Sequence, residues 1–472
     1  MKSYNNTLGG FLVAGVMVSL AAGIAPVSAQ TLEDAMAAAY TNNPDLLSQR
    51  ESLRGTIETV PQALGNWRPS VSLNLNAARN YNEANNRTSG KRNQFRSPHE
   101  GTITFTQPLY RGGRTIANVD KSEADVKKGL ADLDVKEQST LLAAVTAYMN
   151  VVRDAATVDL NISNEQVLTR QLGATRDRFN VGEITRTDVS QAEAALAGAT
   201  ASRITAEGAL EASKATYRQV IGEEPGKLSY PKSLGELPKD LEAVLGAART
   251  RHPSILSALY AEESARKNVD LVQGELLPTL NFVGTLDKTL DGSARSNGNE
   301  AMSITGQAKL DLTIPLYEQG AVYARTRAAK IAAGKSRIDL DSTRASRVAT
   351  ANQAWDALRT ARASIVSFSS QIDANTIALE GVRREAAVGS RTVLDVLTAE
   401  QTLLTSQVNL ARAQRDEVVA AYQLKEAIGE LTAAQQNLAV NLYRPMDFYN
   451  QERNKFIGIS VPDLPEPSRD LE

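Results

Sequence analysis

The stretch VGEITRTDVSQAEAAL at residues 181–196 recurs as VGSRTVLDVLTAEQTL at residues 388–403. Eight of the sixteen positions are identical, and the same shift of 207 residues carries Pro108 onto Pro315. Upstream the shift is 209 residues. The other matched pairs are Leu32 with Leu241, Pro44 with Pro253, Pro69 with Pro278, and Gly222 with Gly429. One structural unit of about two hundred residues therefore occurs twice.

The two ends of the chain differ from the repeats. Residues 1–29 combine Lys2, an apolar run and a small-x-small motif before Gln30, and they predict a secretory signal peptide rather than a membrane anchor. Residues 431–472 form a separate C-terminal segment. From residue 443 onward it is rich in proline and charge, which predicts an extended or disordered tail.

Composition excludes several classes of protein. Cysteine is absent, so neither a disulfide framework nor a lipid-modified N-terminal cysteine is possible. The 52 basic and 54 acidic residues nearly cancel, which gives no reason to expect a nucleic-acid partner. His99 and His252 share no metal-ligand spacing, and no phosphate loop or nucleophile motif is present, so we expect no cofactor and no enzyme activity.

Each repeat has the same order of predicted elements. The first repeat covers residues 30–222, a linker covers 223–240, and the second repeat covers 241–430. Each repeat opens with helices that are split by Pro44 or Pro253. Strand hairpins are predicted at about 70–107 and 279–314, and long helical hairpins at 114–222 and 320–429.

Strands are predicted from alternating polarity. In the first repeat Val71, Leu73 and Leu75 alternate with polar residues, and a similar alternation ends the second hairpin. The stretches 82–101 and 287–302 are rich in Asn, Ser, Gly and charge and are predicted as loops. Each repeat thus supplies two strands, and the chain supplies four.

The helical hairpins are unusually long. No proline interrupts residues 114–180 or 321–388, and a continuous helix of that length extends roughly 100 Å. Leu141, Val145 and Tyr148 follow coiled-coil spacing, and abundant alanine allows neighbouring helices to approach closely.

Four amphipathic strands cannot close a membrane barrel within one chain, because every sheet edge must be paired in lipid. Two arrangements are open: a soluble sandwich, or a barrel to which several chains contribute strands. We favour shared strands, since the helices are too long and too weakly apolar to cover the sheet.

The doubled VGxxxxxDV motif at 181–189 and 388–396 resembles the TolC-type outer-membrane efflux channels of Gram-negative bacteria, an outer membrane factor family. The PLY-then-Gly boundaries at 108–113 and 315–320 strengthen this resemblance, which covers residues 31 to 430. It implies an α+β membrane protein that forms a homotrimer. A twelve-stranded outer-membrane β-barrel would continue into a periplasmic α-helical coiled-coil barrel, with the C-terminal segment at its equator.

The resemblance also implies a function. The family provides a passive exit duct for drugs, toxic compounds or proteins in tripartite efflux or type I secretion systems. Its partners are a periplasmic adaptor protein, an inner-membrane pump of the RND or ABC type, and outer-membrane lipid. The identity of the cargo and of the pump is not encoded in any motif of the sequence.

Candidate functional residues lie at the two helix turns. Val181, Gly182, Val388 and Gly389 mark the periplasmic tips, which in the family meet the adaptor. Asp188 follows the first turn and fits a capping box with Gln191, although it is also a candidate gate residue. The residues matched to the family's periplasmic gate are Asp395, Arg391, Asp188 and Thr187.

The gate residues depart from the family's prototype at two positions. Ala386 replaces a tyrosine and Thr398 replaces an aspartate, so part of the closing network is missing. A ring of three Asp395 carboxylates would attract cations and have raised pKa values. At the other end of the helices, Tyr110 and Tyr317 lie where strand gives way to helix, either in an aromatic belt or in ordinary packing.

Two other classes of protein account for the sequence less completely. A periplasmic structural or adaptor-like coiled-coil protein would explain the helices but not the strands. A diffusion porin would need many more strands in each chain.

Overall fold

A computed structural model describes residues 30–86, 90–231, 233–238, 240–291 and 301–462. The predicted signal peptide at 1–29 and the last ten residues of the predicted tail lie outside the described residues.

Ten α-helices are described: α1 Leu32–Asn42, α2 Pro44–Ile57, α3 Thr59–Gly65, α4 Arg114–Asn180, α5 Arg186–Ile221, α6 Leu241–Thr250, α7 Pro253–Gln273, α8 Ala321–Ala387, α9 Val393–Ala427 and α10 Pro445–Glu452. The described strands are β1 Ser70–Ala77, β2 Asn80–Asn86, β3 Gly90–Arg96, β4 Pro98–Arg111, β5 Thr279–Asp291 and β6 Ala301–Thr313. The predicted splits at Pro44 and Pro253 are both present, because a proline at the first position of a helix lacks only an N–H that the helix does not use.

The strands form two antiparallel sheets. A four-stranded sheet has the order β1-β4-β5-β6 and joins the hairpins of both repeats. Strands β2 and β3 form a separate two-stranded ribbon at the end of the sheet that is distant from the helices.

The predicted loop at 82–101 is therefore wrong. Residues 80–86 pair with residues 90–96 as the β2–β3 ribbon, and β4 begins at Pro98 and extends to Arg111, beyond the predicted end at 107. The backbone hydrogen bonds of a ribbon require no apolar face, so its polar sequence gave no alternating pattern. In the second hairpin the strands extend to Asp291 and resume at Ala301, which shortens the predicted loop at 287–302.

The four-stranded sheet has one apolar and one polar face. Leu73 lies opposite Ile103, Ile103 opposite Leu286, and Phe282 opposite Leu310, so these residues share one face. The other face carries mostly Ser, Thr, Asn and Asp. Every residue of β1 is exposed, so the chain's own helices leave the sheet uncovered.

Helices α4 and α8 each contain 67 residues, which corresponds to roughly 100 Å. Helix α5 returns along α4, and α9 returns along α8. Leu141, Val145 and Tyr148 are fully buried, as the predicted coiled-coil spacing requires.

The largest core lies where α1, α2, the middle of α4 and the end of α9 meet the C-terminal segment. The prediction of an extended or disordered tail from 443 is wrong for residues 445–452, which form α10. Pro445 opens this helix, and the guanidinium of Arg54 lies 4.5 Å from the ring centre of Phe448. Aromatic side chains of α10 thus attach the segment to the core.

None of the helices among the described residues contains an apolar segment that is sufficient to cross a lipid bilayer.

Candidate functional site

The two tip turns have the same backbone geometry. Gly182 and Gly389 both have a φ of +82°, a conformation that favours glycine. The N–H of Glu183 donates to the carbonyl of Arg178 at 2.9 Å, and the N–H of Ser390 donates to the carbonyl of Glu385 at 3.0 Å. Each long helix therefore ends in a Schellman turn that satisfies its last carbonyl groups.

The tip valines are the outermost apolar groups of these turns. Val181 is 74% exposed and Val388 is 81% exposed. An exposed valine beside a rigid glycine turn forms a small apolar contact surface, which fits the predicted role in partner binding. Nothing in the single chain covers these two side chains among the described residues.

The two aspartates close capping boxes at the starts of the return helices. Thr185 is the N-cap of α5, and its backbone N–H donates to Asp188 at 2.9 Å. Thr392 and Asp395 repeat this arrangement at the start of α9, also at 2.9 Å. The expected box of Asp188 with Gln191 is wrong, because Asp188 occupies the third helical position and serves Thr185 instead.

These hydrogen bonds lower the pKa of both carboxyl groups. The side-chain hydrogen bond from Thr185 is the main cause for the pKa of Asp188, and the backbone hydrogen bond from Thr392 is the main cause for that of Asp395. In one chain the direction is opposite to the increase expected for a ring of three carboxylates. Both residues are partly exposed in the single chain, and the caps favour their charged form.

The ion pairs across the two turns have reversed polarity. At the first tip Arg178 precedes the turn and pairs with Glu183 at 2.9 Å. At the second tip Glu385 precedes the turn and pairs with Arg391, also at 2.9 Å. Within the described residues, no hydrogen bond joins Arg391 to Thr187 or Asp188 of the same chain.

A second pair of ion pairs lies further from each tip, and sequence reasoning missed it. Arg176 on α4 contacts Glu193 on α5 at 2.6 Å, and Arg383 on α8 contacts Glu400 on α9. The shift of 207 residues relates the two pairs and could have revealed them. We call these contacts the hairpin clamps, because each joins the two helices of one hairpin.

Tyr110 and Tyr317 lie at the helix end of the sheet. Tyr110 is in the last part of β4, where the register shifts, and it pairs with Leu280. Tyr317 lies between β6 and α8 and is 78% exposed. Both side chains are exposed, so neither packs into the core of the single chain.

The two histidines lie in different parts of the structure. His252 is the N-cap of α7 and accepts a hydrogen bond from the N–H of Ser254 at 3.1 Å. His99 lies in β4, at the opposite end of the sheet from the helices. Within the described residues, no group of three or more His, Asp or Glu side chains could hold a metal ion.

A family model described as outer membrane efflux protein matches residues 36–223 and 244–430. The chain belongs to this outer membrane efflux protein family. The two matched segments coincide with the two repeats, and the predicted family is confirmed.

Relatives cover nearly the whole chain. The outer membrane efflux protein BepC of Brucella suis is 35% identical over 436 residues, which is 92% of this chain and 93% of that protein. The outer membrane protein TolC of Escherichia coli is 25% identical over 93% of this chain and 92% of its own length. The alkaline protease secretion protein AprF of Pseudomonas aeruginosa is 23% identical over 78% of this chain and 77% of its own length.

Solved outer-membrane channels share the fold. The Campylobacter jejuni CmeC outer membrane channel gives a TM-score of 0.74 at 16% identity and covers 90% of this chain and 89% of its own. The outer membrane protein VceC of Vibrio cholerae gives 0.70 at 19% identity and covers 84% of this chain and 96% of its own. This member of the efflux protein family is thus an outer-membrane exit duct, as predicted. Its family consists of channel proteins rather than enzymes.

Proposed function

We propose that three copies of this efflux protein assemble around one axis and form a single passive duct across the outer membrane and the periplasm. The observation that carries this proposal is the four-stranded sheet. Within the described residues its edge strands β1 and β6 are each paired on one side only, and its apolar face is uncovered. Pairing with sibling chains would satisfy both edges in lipid.

The helices support the same assembly. In three copies, the pairs α4–α5 and α8–α9 would supply twelve helices for a periplasmic tunnel of roughly 100 Å. Tyr110 and Tyr317 would then lie at the periplasmic surface of the outer membrane, where aromatic side chains favour the headgroup region.

The test of the assembly is the electrophoretic behaviour of outer-membrane fractions. A trimer band that converts to the monomer band only on heating supports the proposal. A soluble periplasmic monomer would contradict it and would favour the coiled-coil alternative.

The tips would carry the adaptor site. Val181 and Val388 are exposed on rigid turns at the end of the tunnel, and an adaptor could contact them together with Gly182 and Gly389. An inner-membrane pump of the RND or ABC type would supply the energy through that adaptor. Site-specific photocrosslinking from position 388 in whole cells should capture an adaptor protein.

Gate closure would depend on Arg391 and Asp395, with Thr187 and Asp188 of the neighbouring hairpin as partners. The Arg391–Glu385 pair is exposed, so the guanidinium can exchange partners at small cost when hairpins approach. Because Ala386 and Thr398 contribute neither a phenol nor a carboxylate, we expect a weaker closed state than in the prototype.

The cargo class follows from a simple comparison of phenotypes. Relatives named for efflux and for protease secretion share this architecture. Deletion of the gene should raise susceptibility to hydrophobic toxicants if drugs are the cargo. It should deplete the secreted proteome if proteins are the cargo.

A further inference from the structure

The far end of the sheet combines an apolar face with positive charge. The ends of the strands that adjoin the helices are Ser70, Arg111, Thr279 and Thr313, so Ala77, Pro98 and Asp291 mark the opposite end. In the proposed barrel this opposite end would reach the outer leaflet of the membrane.

Lys288 interrupts the apolar face near this end. On β5 it follows Leu286 and precedes Leu290 in the two-residue alternation, and it lies opposite Gly101 and Ile304. It is the one charged residue on the apolar face within the described part of the sheet. Eight residues separate it from Leu280, which is roughly 27 Å along a strand.

This position is close to the outer edge of the hydrophobic band. With a strand tilt of about 40°, the distance from Leu280 corresponds to a height of roughly 20 Å in a band about 25 Å tall. The flexible side chain of Lys288 can therefore extend toward the headgroups. Its side chain is exposed and forms no ion pair or hydrogen bond with the described residues.

The neighbourhood of Lys288 has room for a ligand group. A shallow depression of about 350 Å³ lies beside it and is also lined by Leu75, Asn76, Ala77, His99, Glu100, Gly101 and Leu290. Glu100 pairs with Asn76 and Thr289, so it belongs to the polar face of the sheet and not to the face of Lys288. Gly101 contributes no side chain opposite Lys288, which leaves the ammonium accessible from the lipid side of the sheet.

The β2–β3 ribbon supplies an independent observation. Arg79 and the two strands, residues 80–86 and 90–96, together contain four basic residues and one acidic residue, although the whole chain has a net charge of −2. Exposed aromatic rings accompany this charge: Tyr81 and Phe95 lie 5.0 Å apart between ring centres, and the guanidinium of Arg79 lies 5.7 Å from the Phe95 ring. Basic and aromatic residues together are typical of a membrane–water interface.

We propose that Lys288, Arg79 and the basic residues of strand β3 bind the anionic headgroups of outer-leaflet glycolipid. This inference rests on the proposed barrel, since only that assembly places both features at the outer leaflet. The apolar face would contact the acyl chains while the basic groups hold the phosphates. The lipid would thereby fix the height of the duct in the membrane.

The test is native mass spectrometry of the purified full-length protein in detergent, titrated with bisphosphorylated lipid A and with its fully dephosphorylated form. We expect wild type to prefer the bisphosphorylated form, and the preference to weaken at high salt. Lys288→Gln should lower the affinity about fivefold. Combined substitution Arg79→Gln, Lys91→Gln and Arg92→Gln should lower it further.

Lys309→Gln is the matched control. Lys309 lies on the polar face of the same sheet, opposite Val283. The substitution therefore removes the same charge from a position that does not face lipid. Equal binding of both lipid forms would overturn the inference, and so would an equal loss of lipid affinity in Lys309→Gln and Lys288→Gln. If the trimer mass is intact in those experiments, the proposed duct is unaffected. A monomer that binds neither lipid would overturn the proposed assembly and this inference together.

Discussion

Arg383 and Glu400 join the two helices of the second tip hairpin, and the carboxylate of Glu400 is buried between them. The equivalent pair of the first hairpin, Arg176 and Glu193, occupies the corresponding positions but a different environment. The side chain of Glu400 is 9% exposed, whereas that of Glu193 is 49% exposed. The two hairpin clamps therefore differ in the cost of breaking them.

Arg383→Ala should loosen the second hairpin. The substitution leaves a buried carboxylate without its partner, and because Arg383 itself is half-exposed we expect a local loss of about 1–2 kcal/mol. Hydrogen exchange of the amides at 376–404 measures this loss directly. Arg176→Ala is the matched control and should cost less than about 0.5 kcal/mol, so similar exchange in both variants would contradict the role of burial.

The sequence predicted the elements that depend on local patterns. Prolines at 44 and 253, the glycines after the long helices and the alternating strands all indicate backbone geometry within a few residues. Because the unit occurs twice, each prediction for the first repeat also applied to the corresponding residues of the second repeat. Family, membrane and duct followed from the doubled VGxxxxxDV motif.

Other features depend on contacts between distant residues. The β2–β3 ribbon has no apolar alternation, because its stability comes from backbone pairing. The abundance of proline and charge from residue 443 predicts an extended or disordered tail, although Pro445 opens α10, whose Phe448 ring packs against Arg54 of α2. The two residues of each hairpin clamp lie 17 residues apart and on different helices, so the periodicity of a single helix does not reveal their contact. The recurrence of the pair after 207 residues is visible in the sequence.

Arg391→Ser should loosen the proposed gate. Removal of the guanidinium eliminates the pair with Glu385 and any link to the neighbouring hairpin, so the closed duct should conduct better in planar bilayers. Arg384→Ser is the control, because Arg384 is exposed one position from the same carboxylate and pairs with Glu380 within α8. An unchanged single-channel conductance in Arg391→Ser would argue against a latch.

Gly389→Ala should strain the second tip without a steric clash. The φ of +82° disfavours a side chain, while no atom lies within 4 Å of the added Cβ. We expect a local cost of about 1 kcal/mol and roughly fivefold faster amide exchange around residues 385–395. Gly173→Ala, in the interior of α4 with equally open surroundings, should instead slow exchange slightly. Faster exchange in both variants would show that the added methyl group, and not the turn conformation, is responsible.

Glu137 should make the largest core of the chain more stable in mild acid. Its side chain accepts a hydrogen bond from the N–H of Ala433 at 2.7 Å, and burial raises its pKa from 4.5 to about 6. Between pH 4.5 and about pH 6, Glu137 is therefore mostly protonated in the folded protein and mostly ionised in the unfolded chain. The charged form costs stability above pH 6, and this cost disappears as the pH falls toward 4.5.

For a half-buried carboxylate we expect a difference of about 1 kcal/mol between pH 7.5 and pH 5. Thermal unfolding across this range should show a smaller gain on acidification in Glu137→Gln than in wild type, because the amide cannot titrate and still accepts the hydrogen bond. Glu193→Gln removes an exposed carboxylate and should retain the wild-type slope. Identical slopes for Glu137→Gln and wild type would assign the pH dependence to other groups, such as Asp134, whose pKa burial also raises.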